Sequence, residues 1–367
     1  MALRSAGRAG FSASLGAVAE RIVHAARGHR LALFLMTLAA SAACFRLLPG
    51  DTLPGSLVQA AVIAAVAVLA VALGRPAALG LPAANRTGAE RAAACCAKTG
   101  SSGSAGPDTG GETASRDAAS ESFSFDGCRG RWGVLGRWTV AVLAIGALAG
   151  AASWWTLAGG AATGVAEGAA SGLDPVLSRD GGNVSDPLFL LGPIALLCLL
   201  TGVFEEGVFR VLALDALAPA FCRDRQARSG ERRAASVLGP EPAVRQSGVL
   251  GAAVASSALF GVLHVSAVDA AAAASAVAWA QFALKPVQAG LFGFFMAALF
   301  VRTGSLWKAA GVHGLFNLLY LGPVLAAGVL SPTYVTGSFV DLALLAATTL
   351  LLVPPAIAAA RTIRSTN

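Results

Sequence analysis

Residues 53–74 read Leu-Pro-Gly-Ser-Leu-Val-Gln-Ala-Ala-Val-Ile-Ala-Ala-Val-Ala-Val-Leu-Ala-Val-Ala-Leu-Gly. The run has no ionisable residue. It is long enough for a helix rising about 1.5 Å per residue to cross about 30 Å of hydrocarbon. Comparable apolar runs cover 31–48, 134–158, 188–217, 248–268, 278–300, 306–330 and 338–360. Backbone groups in lipid must be satisfied within their own segment, so each run is expected as a helix. None shows the period-two alternation of a membrane barrel. The expected fold class is therefore all-α, a polytopic transmembrane helix bundle of about eight spans. Small residues fill several spans, as in Gly146-Ala147-Leu148-Ala149-Gly150-Ala151-Ala152-Ser153, and allow close helix packing.

Composition agrees. Of 367 residues, 56 % are hydrophobic and 13 % charged, where a soluble chain carries about 25 % charged residues. That excludes an ordinary cytosolic enzyme, a nucleic-acid-binding domain and a disordered regulator. A net charge of +7 reads as the excess of Lys and Arg that cytoplasmic loops of membrane proteins carry. Most of the 27 basic residues lie in alternate connections: 1–30, 75–137, 218–247, the pair Arg302 and Lys308, and the tail with Arg361 and Arg364. The other connections carry Asp51, Glu167, Asp174, Asp180, Asp186 and Asp269, with Arg179 as their one basic residue. This predicts an integral protein of the plasma membrane with both termini in the cytoplasm.

Residues 1–30 form a basic cytoplasmic segment, too long, like the apolar run after it, for a cleavable signal. Phe11, Leu15, Val18 and Ile22 recur there at helical spacing, which fits an interfacial helix or a solvated juxtamembrane segment. Residues 31–84 supply two transmembrane helices. Residues 85–130 are low in complexity (Ser101-Ser102-Gly103-Ser104, Thr109-Gly110-Gly111) and are expected as a disordered cytoplasmic loop. Cysteines stand at 44, 95, 96, 128, 198 and 222, none in an external connection. Cys95-Cys96 has no partner at zinc-finger spacing, so all six read as ordinary thiols.

Ionisable residues inside spans are costly and usually functional. Glu205, Glu206 and Arg210 lie in the fourth span, His264 in the fifth and His313 in the seventh, with Asn317 one turn beyond His313. Glu206 and Arg210 are spaced i, i+4 and can pair on one helix face, which leaves Glu205 to point elsewhere. A carboxylate so placed suits a general base. The same three residues also fit a neutralising ion cluster that only holds helices together. Phe260 shares a face with His264, and His313 shares one with Asn317. Stacked donors of that kind fit an oxyanion site or an interhelical hydrogen-bonded pair. Three such sites on three helices, supplying acids, two imidazoles and an amide, favour chemistry over packing.

The order Glu-Glu-x-x-x-Arg (205–210), Phe-x-x-x-His (260–264) and His-x-x-x-Asn (313–317) resembles the CPBP family. This is the family of CAAX prenyl proteases and bacteriocin-processing proteins, also called Abi. The lead-in Arg302-Thr303-Gly304-Ser305-Leu306-Trp307-Lys308 resembles that family too, and the resemblance covers about 188–320. It implies an intramembrane endopeptidase with its protease core in 131–367, a cytoplasm-facing cavity and a membrane-associated polypeptide as substrate. It further implies that Glu205 and His264 activate a water, that His313 and Asn317 stabilise the oxyanion, and that Glu206, Arg210 and Phe260 support them.

No cofactor is expected. The rival is a zinc peptidase with Glu205, His264 and His313 as ligands around an open position. Their spacing is unlike His-Glu-x-x-His, where both His share one helix turn. A second rival is a non-enzymatic membrane protein, an immunity factor or a transporter, although the internal repeat typical of transporters is absent. The substrate sequence and the oligomeric state are not legible. One tension is geometric. His264 lies about 24 Å along its span from residue 248, and His313 about 10 Å from residue 306, yet one site needs both at one depth.

Overall fold

The computed structural model describes residues 28–50, 52–81, 133–163, 187–228, 242–265, 275–327 and 335–365. The segment expected as a disordered loop (85–130) and the amphipathic pattern at 11–22 lie outside them. The described chain is helical: α1 (Arg30–Leu47), α2 (Leu53–Gly74), a 3-10 turn (Pro76–Leu79), α3 (Gly133–Thr163) and α4 (Pro187–Glu205). A π-helical segment (Glu206–Ala213) carries α4 directly into α5 (Leu214–Arg228). Then follow α6 (Pro242–Leu263), α7 (Ala276–Thr303), α8 (Leu306–Ala326) and α9 (Phe339–Arg364). Each expected span coincides with a helical rod. Among the described residues, six helices are long and apolar enough to cross a membrane by length and composition, and Gly248–Leu263 is a shorter apolar stretch.

Local sequence sets the ends. Thr52 caps α2, accepting from the Gly55 amide at 3.2 Å, with Pro54 in the first turn. Ser275 and Ser338 cap α7 and α9 in the same way. Gly304 ends α7 with φ +60, a left-handed backbone that glycine adopts without strain.

Helix α7 is central. Phe295, Met296, Leu299 and Phe300 are each at most 1 % exposed. Against it pack α6, α9 and the π segment. Helix α4 lies along α8, where Gly202 faces the Ala310 carbonyl and Gly314 faces the Leu199 backbone. A Cβ on Gly314 would stand 2.8 Å from Leu199 Cα. Gly314→Ala must therefore push α4 off α8. The expected cost is about 1–3 kcal/mol, with reduced turnover because these two helices carry Glu205 and His313. Thermal unfolding in detergent and cleavage rate check it together.

One end of the bundle gathers the basic residues. Arg30 at the start of α1 and Arg75 just past α2 reach Asp215 at the start of α5, at 3.1 and 3.8 Å. Arg302 and Lys308 flank the α7–α8 turn at the same end, where Trp307 Nε1 donates to the Leu79 carbonyl.

The depth conflict between the two histidines disappears in three dimensions. The fifth span was expected over 248–268, but α6 runs from Pro242 to Leu263. It packs antiparallel to α7, with Gly261 against Pro286 and Gly290. Its end therefore stops level with the middle of α7, and His264 sits at bundle mid-depth. Cys44 and Cys198 are free thiols.

Candidate active site

The widened backbone turn is the first local feature of the site. The i, i+4 spacing of Glu206 and Arg210 was read on an α-helix, but the chain changes from α to π at this point. Such π turns are rare and recur at functional sites. The ion pair survives: Arg210 Nε is 3.5 Å from Glu206 Oε2, and neither side chain is exposed. Arg210 is also held by rings, its Cζ lying 4.4 Å from the Phe260 centroid and 5.9 Å from that of Phe209. The absence of a side chain at Gly293 makes room, since a Cβ there would stand 2.9 Å from Arg210 Nη2. Phe260 thus faces the guanidinium, which desolvation makes a stronger contact than at a surface.

Phe260 also fixes His264. Its carbonyl lies 2.8 Å from His264 Nδ1, and the two rings are 4.2 Å apart. A carbonyl can only accept, so Nδ1 carries the proton and Nε2 presents the lone pair. Nε2 stands 3.7 Å from Glu205 Oε1, too far for a direct hydrogen bond and a distance that one water can bridge.

His313 lies between the two carboxylates. Its Nδ1 donates to Glu206 Oε1 at 2.7 Å, and its Nε2 is 3.1 Å from Glu205 Oε2. The ring is 3 % exposed, against 15 % for Glu205 and 26 % for His264. His264 and Glu205 are therefore the open side of the cluster, and His313 is its buried linker. Phe292 closes the ring's flank, its centroid 4.9 Å away. Glu206 was expected to serve Arg210 alone, and its bond to His313 was not. Helix spacing could not reveal it, because it depends on which face α8 turns to the π segment.

Asn317 lies one turn further along α8, half-buried. It lines a cavity of about 450 Å³ with Glu205, Thr201, Ser56 and Gln59. The cavity reaches from Glu205 to Phe45 and Gly50 beside the α1–α2 connection. That connection lies at the end of the bundle away from Arg302 and Lys308.

Lys285 was passed over in the sequence. It sits in α7, 5 % exposed, with Nζ donating to Gln288 Oε1 at 2.8 Å and lying 5.7 Å from the Tyr320 centroid. Gln288 in turn donates to Thr348. A ladder of rings joins this group to the site: Phe292 stacks on Phe316 at 4.4 Å, and Phe316 on Tyr320 at 5.5 Å. The available signal was a lysine between Leu284 and Pro286 in the middle of an apolar run.

The three motifs, with Glu206 and His313 107 positions apart in sequence, therefore meet in one cluster. A family model described as type II CAAX prenyl endopeptidase, Rce1-like, matches residues 187–319, the stretch that carries all of them. Over that stretch the chain is similar to the CAAX protease family. The matched stretch is that of a family of membrane peptide hydrolases, enzymes that act on membrane-associated polypeptides. No curated protein and no solved structure matches the chain. For a metal at this site, the donor set would be Glu205, His264 and His313. Among the described residues, no group of three or more His, Cys, Asp and Glu is placed to hold a metal ion.

Proposed function

We propose that this protein hydrolyses a peptide bond with a water shared by Glu205 and His264, and that Asn317 stabilises the oxyanion. The supporting observation is the 3.7 Å gap between Glu205 Oε1 and His264 Nε2, with the Nδ1 proton of His264 committed to the Phe260 carbonyl. Water placed there gives a proton to Glu205 as its oxygen attacks the scissile carbonyl carbon. The C–O bond forms, and negative charge develops on the carbonyl oxygen, to which Asn317 donates. Glu205 then returns the proton to the leaving amine as the C–N bond breaks. His313, bound to both glutamates, holds the Glu205 carboxylate in place, and its Nε2 supplies positive potential beside the oxyanion. Glu206, Arg210 and Phe260 support this arrangement.

Water activation on this reading needs no zinc. With Nδ1 donating to Glu206, His313 turns its other nitrogen to the Glu205 carboxylate, which suits an N–H better than a metal-binding lone pair. Elemental analysis of active, purified protein is expected to find no stoichiometric zinc. Zinc whose removal abolishes cleavage and whose return restores it would overturn this.

Asn317→Ala is expected to lower turnover by about 10²–10³ while leaving substrate capture largely intact. Loss of folding in detergent, with turnover per folded molecule unchanged, would assign Asn317 to packing instead. The reading as a whole is tested by substrate trapping. Glu205→Gln protein in native membranes is expected to retain intact polypeptides that the wild type does not, identifiable by mass. Recovery of the same set by both proteins would count against hydrolysis at this site.

A further inference from the structure

Hydroxyls inside these apolar helices follow one habit. Thr37, Ser41, Thr139, Ser153, Thr201 and Thr349 each donate to the carbonyl four residues back in their own helix, a local bond open to any helical Ser or Thr. Ser256 departs from it. Its hydroxyl crosses from α6 to the π segment and donates to the Phe209 carbonyl at 2.5 Å. The side chain has no exposure. The neighbouring Ser257 is 3 % exposed, and its Oγ has no hydrogen-bond partner among the described residues. Two adjacent buried serines thus differ in one respect: only the first reaches the π segment.

Phe209 stands in the middle of Glu206–Ala213. A π turn is rare beside an α turn, so this winding needs support from outside its own helix. Rewinding it to α would shift the register by about one residue, which turns α4 by about 100° relative to α5. Glu205 is the last residue of α4 and would swing with it. As the chain stands, two adjacent carboxylates take opposite nitrogens of one ring. Glu206 Oε1 is 2.7 Å from His313 Nδ1, and Glu205 Oε2 is 3.1 Å from Nε2. The other oxygen of Glu205 faces His264 Nε2 at 3.7 Å. That convergence depends on the winding of the segment.

Helix α6 grips the segment at successive turns of one face. Ser256 takes the Phe209 carbonyl. One turn later Phe260 meets the Phe209 ring edge-on, centroids 5.2 Å apart, and faces the Arg210 guanidinium. His264 follows one turn after that, just past the end of the helix. The face that delivers the histidine therefore also holds the turn that aims the glutamates. We propose that Ser256 is a positioning residue, whose hydroxyl keeps the π turn in the register at which Glu205 and Glu206 address opposite nitrogens of His313. It touches no substrate. Its effect on turnover rests on the hydrolase reading above, whereas its effect on His313 does not.

The test compares full-length Ser256→Ala, Ser256→Thr and Ser257→Ala in detergent. Two quantities are read: the resonances of isotope-labelled histidine nitrogens, with His313 assigned from a His313→Gln sample, and cleavage of a polypeptide retained by the Glu205→Gln protein. Ser256→Ala is expected to move both His313 nitrogen signals. It should lower kcat about five- to tenfold, the scale of one hydrogen bond, with KM within about twofold of the wild type. Ser256→Thr keeps the hydroxyl and should restore the signals and the rate. Ser257→Ala removes the same atom from the next residue and should change neither. If Ser256→Ala fails to fold, Ser256→Cys takes its place, a weaker donor expected to act in the same direction. Unmoved His313 signals in the folded variant overturn the proposal. So does an equal effect of Ser257→Ala, or a rate loss that vanishes when counted per folded molecule. If the wild type cleaves none of the retained polypeptides, the hydrolase reading falls, and the His313 signals still decide the role of Ser256.

Discussion

Glu206→Gln is expected to unfold the protein at markedly lower temperature and to leave little activity in the fraction that folds. Glu206 and Arg210 are both fully buried, and the carboxylate is the ion-pair partner of the guanidinium at 3.5 Å. Removing one member of a buried pair strands the other's charge, at a cost of about 3–5 kcal/mol. The rings of Phe209 and Phe260 offset only part of that. Helix spacing alone would have made this purely a stability effect. The 2.7 Å bond from His313 Nδ1 to Glu206 Oε1 adds a second consequence. A glutamine can still accept that bond, but it no longer draws the imidazole by charge, so the ring that positions Glu205 loosens. Thermal unfolding in detergent, with turnover per folded molecule, separates the two effects. Full turnover in a destabilised protein would confine Glu206 to a structural role.

Glu205→Gln should behave in the opposite way. The side chain is partly exposed, 15 %, and borders the cavity, so a neutral amide of the same size leaves packing nearly intact. It cannot take the proton of the attacking water, and a loss of about 10²–10⁴ in turnover is the usual scale for one general base. Unfolding temperature should stay close to that of the wild type. If Glu205→Gln still cleaved while Glu206→Gln were stable and inactive, the roles of the two carboxylates would be reversed.

Much of this architecture could be read from the sequence because lipid imposes few solutions. A run such as 53–74 admits only a helix, and the order of the motifs then named the three helices that meet. What could not be read depended on tertiary contact. The fourth span was expected to end at 217, but the chain continues helical to Arg228 through a π turn at Glu206–Ala213. No local propensity separates a π turn from an α turn in advance. The fifth helix starts at Pro242, six residues before its apolar run, because Arg245, Gln246 and Ser247 are polar, and its end was expected at 268 because Val265 onward is as apolar as what precedes it. The end of that helix at Leu263 is what brings His264 level with Glu205. Glu206 was paired correctly with Arg210 on its own helix, whereas its partner on α8 depended on the rotation of a distant element. Lys285 carried a legible signal, an ionisable residue in mid-span, and only its neighbours Gln288 and Tyr320 appear in three dimensions alone.

The central claim is that water, activated at Glu205 and His264, cuts a polypeptide. Its most direct measurement takes polypeptides retained by the Glu205→Gln protein, gives them to purified wild type in water enriched in heavy oxygen, and weighs the products. The expected result is two fragments whose masses sum to the polypeptide plus one water, with heavy oxygen in the new carboxyl terminus. The contrary result is that the wild type leaves every retained polypeptide intact, or that the Glu205→Gln protein yields the same fragments at a comparable rate.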